Sequence, residues 1–174
     1  DRLSVVSSVA FVDADFDAGE IAGYVTWIAP LDVTQVTQYA VYIAANTAGF
    51  QRSQIGGDLP LQTSPPNISA DTALGSYTYV IVYTRSPLAE QTTPTAEVIS
   101  DAYAGVTALT FVDQDLDAAE VGGVVQWLAP SGVPSSRVFG YSVYIAESAE
   151  GAARSPIGNM TAANVLALQG DTAV

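Results

Sequence analysis

The 174-residue chain carries a net charge of −13, is 49% hydrophobic, and contains neither cysteine nor histidine. Such acidity opposes binding to a nucleic-acid backbone, and without cysteine no disulfide or thiolate metal site can form. All five basic residues are arginine, so histidine acid–base chemistry, the Ser-His-Asp triad, lysine Schiff bases and Lys–Asn isopeptide cross-links are all excluded.

The length suits one or two domains, and the apolar residues lean to Val, Ile, Ala and Tyr, which favour strands. No apolar run is long enough for a membrane-spanning helix. In chain order, Ser4 to Asp13 reads as a first strand and Asp15 to Glu20 as a turn with Gly19 as its permissive residue. Ile21 to Ile28 is a second strand, with Ile21, Gly23, Val25 and Trp27 on one face by the two-residue period; Pro30 ends it. Tyr39 to Ala45 is a third strand, and Phe50 to Gly57 leads out through a glycine turn. Leu59 to Ala70 holds Pro60, Pro65 and Pro66 and reads as loop or irregular edge. Thr78 to Thr84 (TYVIVYT) is the strongest strand signal, and Thr95 to Ser100 closes the unit. About seven short strands per hundred residues imply an antiparallel sandwich.

The sequence then repeats. Phe11–Pro30 (FVDADFDAGEIAGYVTWIAP) and Phe111–Pro130 (FVDQDLDAAEVGGVVQWLAP) agree at 12 of 20 positions at an offset of 100. Tyr141 to Ala146 repeats Tyr39 to Ala44 at an offset of 102, as Arg154 repeats Arg52, and Asp171-Thr172-Ala173 returns to an offset of 100 from Asp71-Thr72-Ala73. A repeat this long means one structural unit used in tandem. The expected domains are therefore 1–100, complete, and 101–174, without counterparts of the 26 residues Gly75–Ser100 (100 − 75 + 1) and their TYVIVYT strand.

Trp27-Ile28-Ala29-Pro30, Tyr39-Ala40-Val41-Tyr42 and Leu74-Gly75-Ser76-Tyr77 before the Thr78–Val82 strand together resemble the fibronectin type III pattern. Trp127 to Pro130 and Tyr141 to Tyr144 repeat its first two parts. The resemblance implies two tandem all-β immunoglobulin/fibronectin III-like sandwiches, the second lacking its last two strands, and it implies no particular activity. The expected core is Trp27, Tyr39, Val41, Tyr79 and Ile81 in the first copy and Trp127, Tyr141 and Val143 in the second. The Asp-rich first turn is not part of that pattern.

Asp13, Asp15, Asp17 and Glu20, with Asp113, Asp115, Asp117 and Glu120, are the recurring polar clusters. Alternate aspartates on extended chain point the same way and would converge on a hard cation such as Ca²⁺; the competing reading is a solvated turn whose carboxylates satisfy backbone amides. Asn67-Ile68-Ser69 and Asn159-Met160-Thr161 are glycosylation sequons expected in matching loops. Tyr39, Tyr42, Tyr77, Tyr79 and Tyr83 read as sheet-face residues rather than a ligand platform, and the acidic pairs show no cleft for glycoside hydrolysis. The expectation is a non-enzymatic, extracellular or cell-surface structural protein. Its incomplete second sandwich would be finished by a strand from a neighbouring copy, giving a head-to-tail homopolymer, with covalent glycans on the sequons as a further expectation. The alternatives are a slice of a longer adhesin array or an accessory module of a carbohydrate-active enzyme.

Overall fold

The computed structural model describes residues 4–62, 65–159 and 161–173, and these fold as two all-β units, Asp1–Tyr103 and Ala104–Val174. The first unit extends past residue 100 because Asp101 and Ala102 are tied to its first turn. The Gly19 amide donates to Asp101 Oδ2 and the Ala102 amide to Asp13 Oδ2, both at 2.8 Å.

In the first unit the strands are β1 (Ser7–Phe11), β2 (Glu20–Ile28), β3 (Gln38–Ala44), β4 (Ser53–Gln54), β5 (Leu59–Pro60), β6 (Asn67–Ala73), β7 (Tyr79–Arg85) and β8 (Thr95–Val98). One sheet has the order β1-β2-β6; the other runs β4-β3-β7-β8, with β5 also paired to β3. All pairings are antiparallel, and β3 and β7 are joined along their whole length, from Gln38↔Arg85 to Ala44↔Tyr79. The alternation of β2 turns Ile21, Gly23 and Val25 inward while Tyr24 stays outside. Against them the other sheet sets Tyr39, Val41, Ile43, Val80 and Val82, so Val9, Ile68 and their neighbours close one inter-sheet core.

Several expectations need correction here. The segment Leu59–Ala70 is not all loop: β5 and most of β6 lie within it. Its prolines fall before β6 or at the end of two-residue β5, where no central ladder amide is needed. Trp27 is half-buried at the margin of the core rather than sealed inside it. Ile81 is a fully buried core residue with Tyr79 packed against it, as expected, but in a second cluster on the other side of β7, with Ala44, Tyr42, Tyr83 and Ala96. The turn after β3 folds over that side. Asn46 Oδ1 accepts the amides of Ala48 and Phe50. Gly49, at φ +84°, sits so close to Tyr83 and Ile81 that a Cβ would strike them.

The second unit has β9 (Thr107–Asp113), β10 (Glu120–Leu128), β11 (Tyr144–Ile145), β12 (Ser155–Pro156) and β13 (Val165–Ala173). Its sheet β13-β10-β9 reproduces β6-β2-β1, with the same register break: Gly23 opposes Ile68 and Gly123 opposes Leu168. Among the described residues no strand stands in the place of β7 or β8. One expectation fails as a consequence. Tyr141–Ala146 does not form a full strand like its repeat; only Tyr144–Ile145 pair, with β12, and Tyr141 makes a single bridge to Thr161. The ladder that holds β3 straight is its pairing with β7, and β11 has no such partner. Val125, Trp127 and Ile157 form the small core, with Tyr141, Val143 and Leu168 half-buried on it.

Candidate functional site

The acidic turns are built as amide clamps. Asp13 is 2% exposed, and its Oδ1 accepts the amides of Asp15 and Ala22, both at 3.0 Å. Asp113 Oδ1 does the same for Asp115 and Gly122 at the same distances. Asp15 accepts from the Asp17 amide at 3.1 Å and, across to β6, from the Asp71 amide at 2.9 Å. Asp115 accepts from Asp117 at 3.0 Å and from Asp171 at 2.8 Å. Asp71 and Asp171 reach these carboxylates from left-handed backbone, φ 58° and 66°, a conformation Asp tolerates better than most residues. Bonds to the amides of Asp71 and Asp171, foremost, hold the Asp15 and Asp115 carboxyls below their ordinary range. Glu20 is shifted up, first by loss of hydration and then by Asp71, Asp15 and Asp17.

These clamps bring together only part of the anticipated cation set. Carboxylate oxygens of Asp15, Glu20 and Asp71 lie within 4.8 Å of one another, as do those of Asp115, Asp117 and Glu120. Asp13 and Asp113 are spent on amides, and Asp71, which joins the first group, was not anticipated. The sequence signals it only through the repeat of Asp71-Thr72-Ala73 at Asp171-Thr172-Ala173.

The two sequons differ. Asn67 is exposed but stands on β6 rather than in a loop, a correction to the matching-loop expectation. With its amide nitrogen turned to the sheet it donates to the carbonyls of Ile68 and Gly23, both at 3.2 Å. Asn159 is exposed in a bend, while the middle residue of its sequon, Met160, lies outside the described residues.

The larger feature is the open face of the second unit. A groove of about 530 Å³ runs between Val106, Leu109 and Trp127 on one wall and Tyr141, Val143 and Tyr144 on the other. In the first unit the corresponding space lies beside β7. There Val6 is 3% and Val9 6% exposed; their repeats Val106 and Leu109 are 44% and 64% exposed. The chain leading into β1 is also stapled to the β7–β8 pair, by Thr84 Oγ1 to the Ser4 carbonyl at 2.8 Å and Thr95 Oγ1 to the Val6 carbonyl at 2.6 Å. The second unit has no equivalent of either threonine within the described residues.

At the rim of the same face an arginine recurs. In the first unit the Arg52 guanidinium lies over the rings of Tyr42 and Tyr83, 4.5 and 4.6 Å from their centroids. It pairs with Glu90 at 2.8 Å, and the Tyr42 hydroxyl donates to the same carboxylate at 2.9 Å. In the second unit Arg154 lies over Tyr144 at 5.1 Å.

No protein-family model matches the chain, and neither a curated protein nor a solved structure is significantly similar to it.

Proposed function

We propose that the chain is a non-catalytic structural protein of the cell exterior, built from fibronectin III-like sandwiches and assembled by strand addition to its second unit. The carrying observation is a pair of apolar repeat positions that differ in cover: Val6 and Val9 are buried where Val106 and Leu109 are exposed. A sequence that keeps these residues apolar in both copies encodes a covered face in both. Leaving such surface wet forgoes about 25 cal/mol per Å², a serious loss for a fold of marginal stability, and the unpaired edge invites another strand. The sheet orders of the first unit, β1-β2-β6 against β4-β3-β7-β8 with short β5 also on β3, support the fibronectin III resemblance.

Strands donated by another copy would make a head-to-tail contact, and one that does not close makes a filament. A second reading has its own support: the 100-residue period is still in phase at Asp171-Thr172-Ala173, as in an array whose next segment supplies the strands covalently. Appending a copy of Gly75–Ser100 after Val174 tests the proposal. The unextended chain is expected to associate with rising concentration and the extended chain to remain monomeric and melt higher. Equal association by both overturns strand addition. The intact mass of the native protein distinguishes the two sources, since a covalent array exceeds the 18.0 kDa of this chain.

A further inference from the structure

Arg154 and Tyr144 are half of a site that the first unit shows whole. Around Arg52 the first unit gathers three groups, a cluster of four with the arginine: the Tyr42 ring beneath the guanidinium, the Tyr83 ring as its second neighbour, and Glu90 as ion-pair partner of the arginine and acceptor of the Tyr42 hydroxyl. Tyr42 and Tyr83 also meet edge to face, centroids 5.6 Å apart. Two of the four, Tyr42 and Arg52, come from β3 and the turn after it. The others, Tyr83 and Glu90, come from β7 and the loop beyond it.

The repeat retains only the first pair. Tyr144 and Arg154 stand 102 residues after Tyr42 and Arg52 and keep the stacked geometry at 5.1 Å. Among the described residues Arg154 has no ion pair, and Tyr144 is 43% exposed. Both line the groove described above.

We infer, on the strength of the strand-addition reading, that the second unit accepts an antiparallel strand pair of the β7–β8 kind. That pair carries a tyrosine and, seven residues on, a carboxylate that closes on Arg154. Apolar cover alone would accept any hydrophobic strand and would not fix its register, because a two-residue slip returns the same face. A guanidinium already stacked on an aromatic ring recognises one carboxylate position, and such a pair contributes to specificity more than to raw affinity. The tyrosine meets Tyr144 edge to face and shares the same guanidinium with it, as Tyr83 does with Tyr42 in the first unit.

The test uses the full chain and a synthetic peptide spanning Leu74–Ser100. Binding of this peptide is expected, weakened about tenfold by Glu90→Gln in the peptide, as for loss of a charge-assisted partner. Arg154→Gln in the chain should cause the same loss, and Glu90→Gln should then cost nothing more. Arg154→Glu should prefer a Glu90→Arg peptide over the unaltered one. If the unaltered peptide does not bind, strand addition itself is overturned and this inference with it. If it binds and neither Glu90→Gln nor Arg154→Gln changes its affinity, strand addition stands and the arginine's role is overturned. The chain extended by Gly75–Ser100 gives a second readout free of peptide solubility. Loss of the appended glutamate should lower its melting temperature when Arg154 is present and leave it unchanged in Arg154→Gln; equal effects in both would overturn the pairing.

Discussion

Trp127 meets Tyr141 edge to face, ring centroids 5.2 Å apart at 69°, and Trp27 meets Tyr39 in nearly the same way, at 5.1 Å and 64°. The pair is the fixed point of both units, but its weight differs. The first unit has eleven other buried residues in the same cluster, whereas among the described residues Trp127 shares its cluster with Val125 and Ile157 alone as buried neighbours. Trp127 is 5% exposed, and its indole nitrogen is buried without a partner among the described residues. Trp127→Ala is therefore expected to cost about 3–5 kcal/mol, enough to unfold the second unit alone. Half-buried Trp27→Ala should cost less. Each unit holds one tryptophan, so denaturation followed by the remaining indole's fluorescence reads the intact unit directly.

Gly23 and Gly123 are required by the bend they create. Their φ values are +135° and +141°, and a Cβ would stand 2.7 Å from the Val12 carbonyl oxygen and 2.5 Å from that of Val112. Both mark the point where β2 and β10 slip register against β6 and β13, the usual place for glycine in a bulged strand. Gly23→Ala and Gly123→Ala should each destabilise their unit by more than 2 kcal/mol, on the order of combined backbone strain and overpacking. Urea denaturation of each variant measures it; an unchanged midpoint would mean that the bulge relaxes freely.

The same turn offers a stabilising change. Gly19 adopts φ +83° with open space where a Cβ would go, and Ala119 holds the repeat position at φ +67°. An alanine in left-handed backbone carries strain of about 1–2 kcal/mol, partly offset by its smaller entropy in the unfolded chain. Ala119→Gly should raise the stability of the second unit by several tenths of a kcal/mol, and Gly19→Ala should lower that of the first by a similar or larger amount. Thermal melts of the two variants should move in opposite directions.

The aspartate clamps predict acid sensitivity. Because the Asp15 and Asp115 carboxyls are held below the ordinary value of 3.8, the folded state binds their protons less readily than the unfolded chain. Their stabilisation is present above that value and is lost as pH falls through the depressed folded values. Glu20 acts in the opposite sense: raised above 4.5, it opposes folding as pH climbs through its shifted value. Each Asp uses both oxygens as acceptors, so Asn leaves one amide facing an NH₂ group. Asp15→Asn and Asp115→Asn should lower the melting temperature at pH 7 and flatten its decline in acid. We expect the loss to be the same with a chelator as with added Ca²⁺; a loss seen only with Ca²⁺ would transfer the role to a bound cation.

The sequence disclosed what repeats and alternates: the inward face of β2, the Tyr-Val-Tyr strand, the two units, and the place where the second copy falls short. It hid what depends on cover from outside the strand. The face of β7 that carries Ile81 reads as core by composition and is buried, yet what buries it is the turn around Gly49 rather than the facing sheet. Strand β6 (Asn67–Ala73) is polar and follows prolines, so neither period nor composition announced it. The Asp-Thr-Ala repeat marks Asp71 without tying it to the acidic turn, because it lies 56 residues from Asp15, the residue it meets. The shortness of β11 could not be read from Tyr141–Ile145, since it reflects a missing neighbour and not the strand's own residues.

Val9 and Leu109 give the sharpest measure of that missing neighbour. They occupy the same repeat position at 6% and 64% exposure, so one substitution should have different costs in the two units. Val9→Ser places a hydroxyl in a closed core and removes two methyl groups, a loss of about 2–4 kcal/mol when desolvation and cavity are combined. Leu109→Ser in the unextended chain exposes less apolar surface and should be nearly neutral, within about 0.5 kcal/mol, as for a surface site. Once the chain is extended by a second copy of Gly75–Ser100, Leu109 becomes covered, and the same change should cost as much as Val9→Ser. Stability of the two parent chains and the three variants by chemical denaturation forms the comparison. Equal costs for Leu109→Ser with and without the added segment would show that the strand pair does not dock over β9, whatever else it does to the melting temperature.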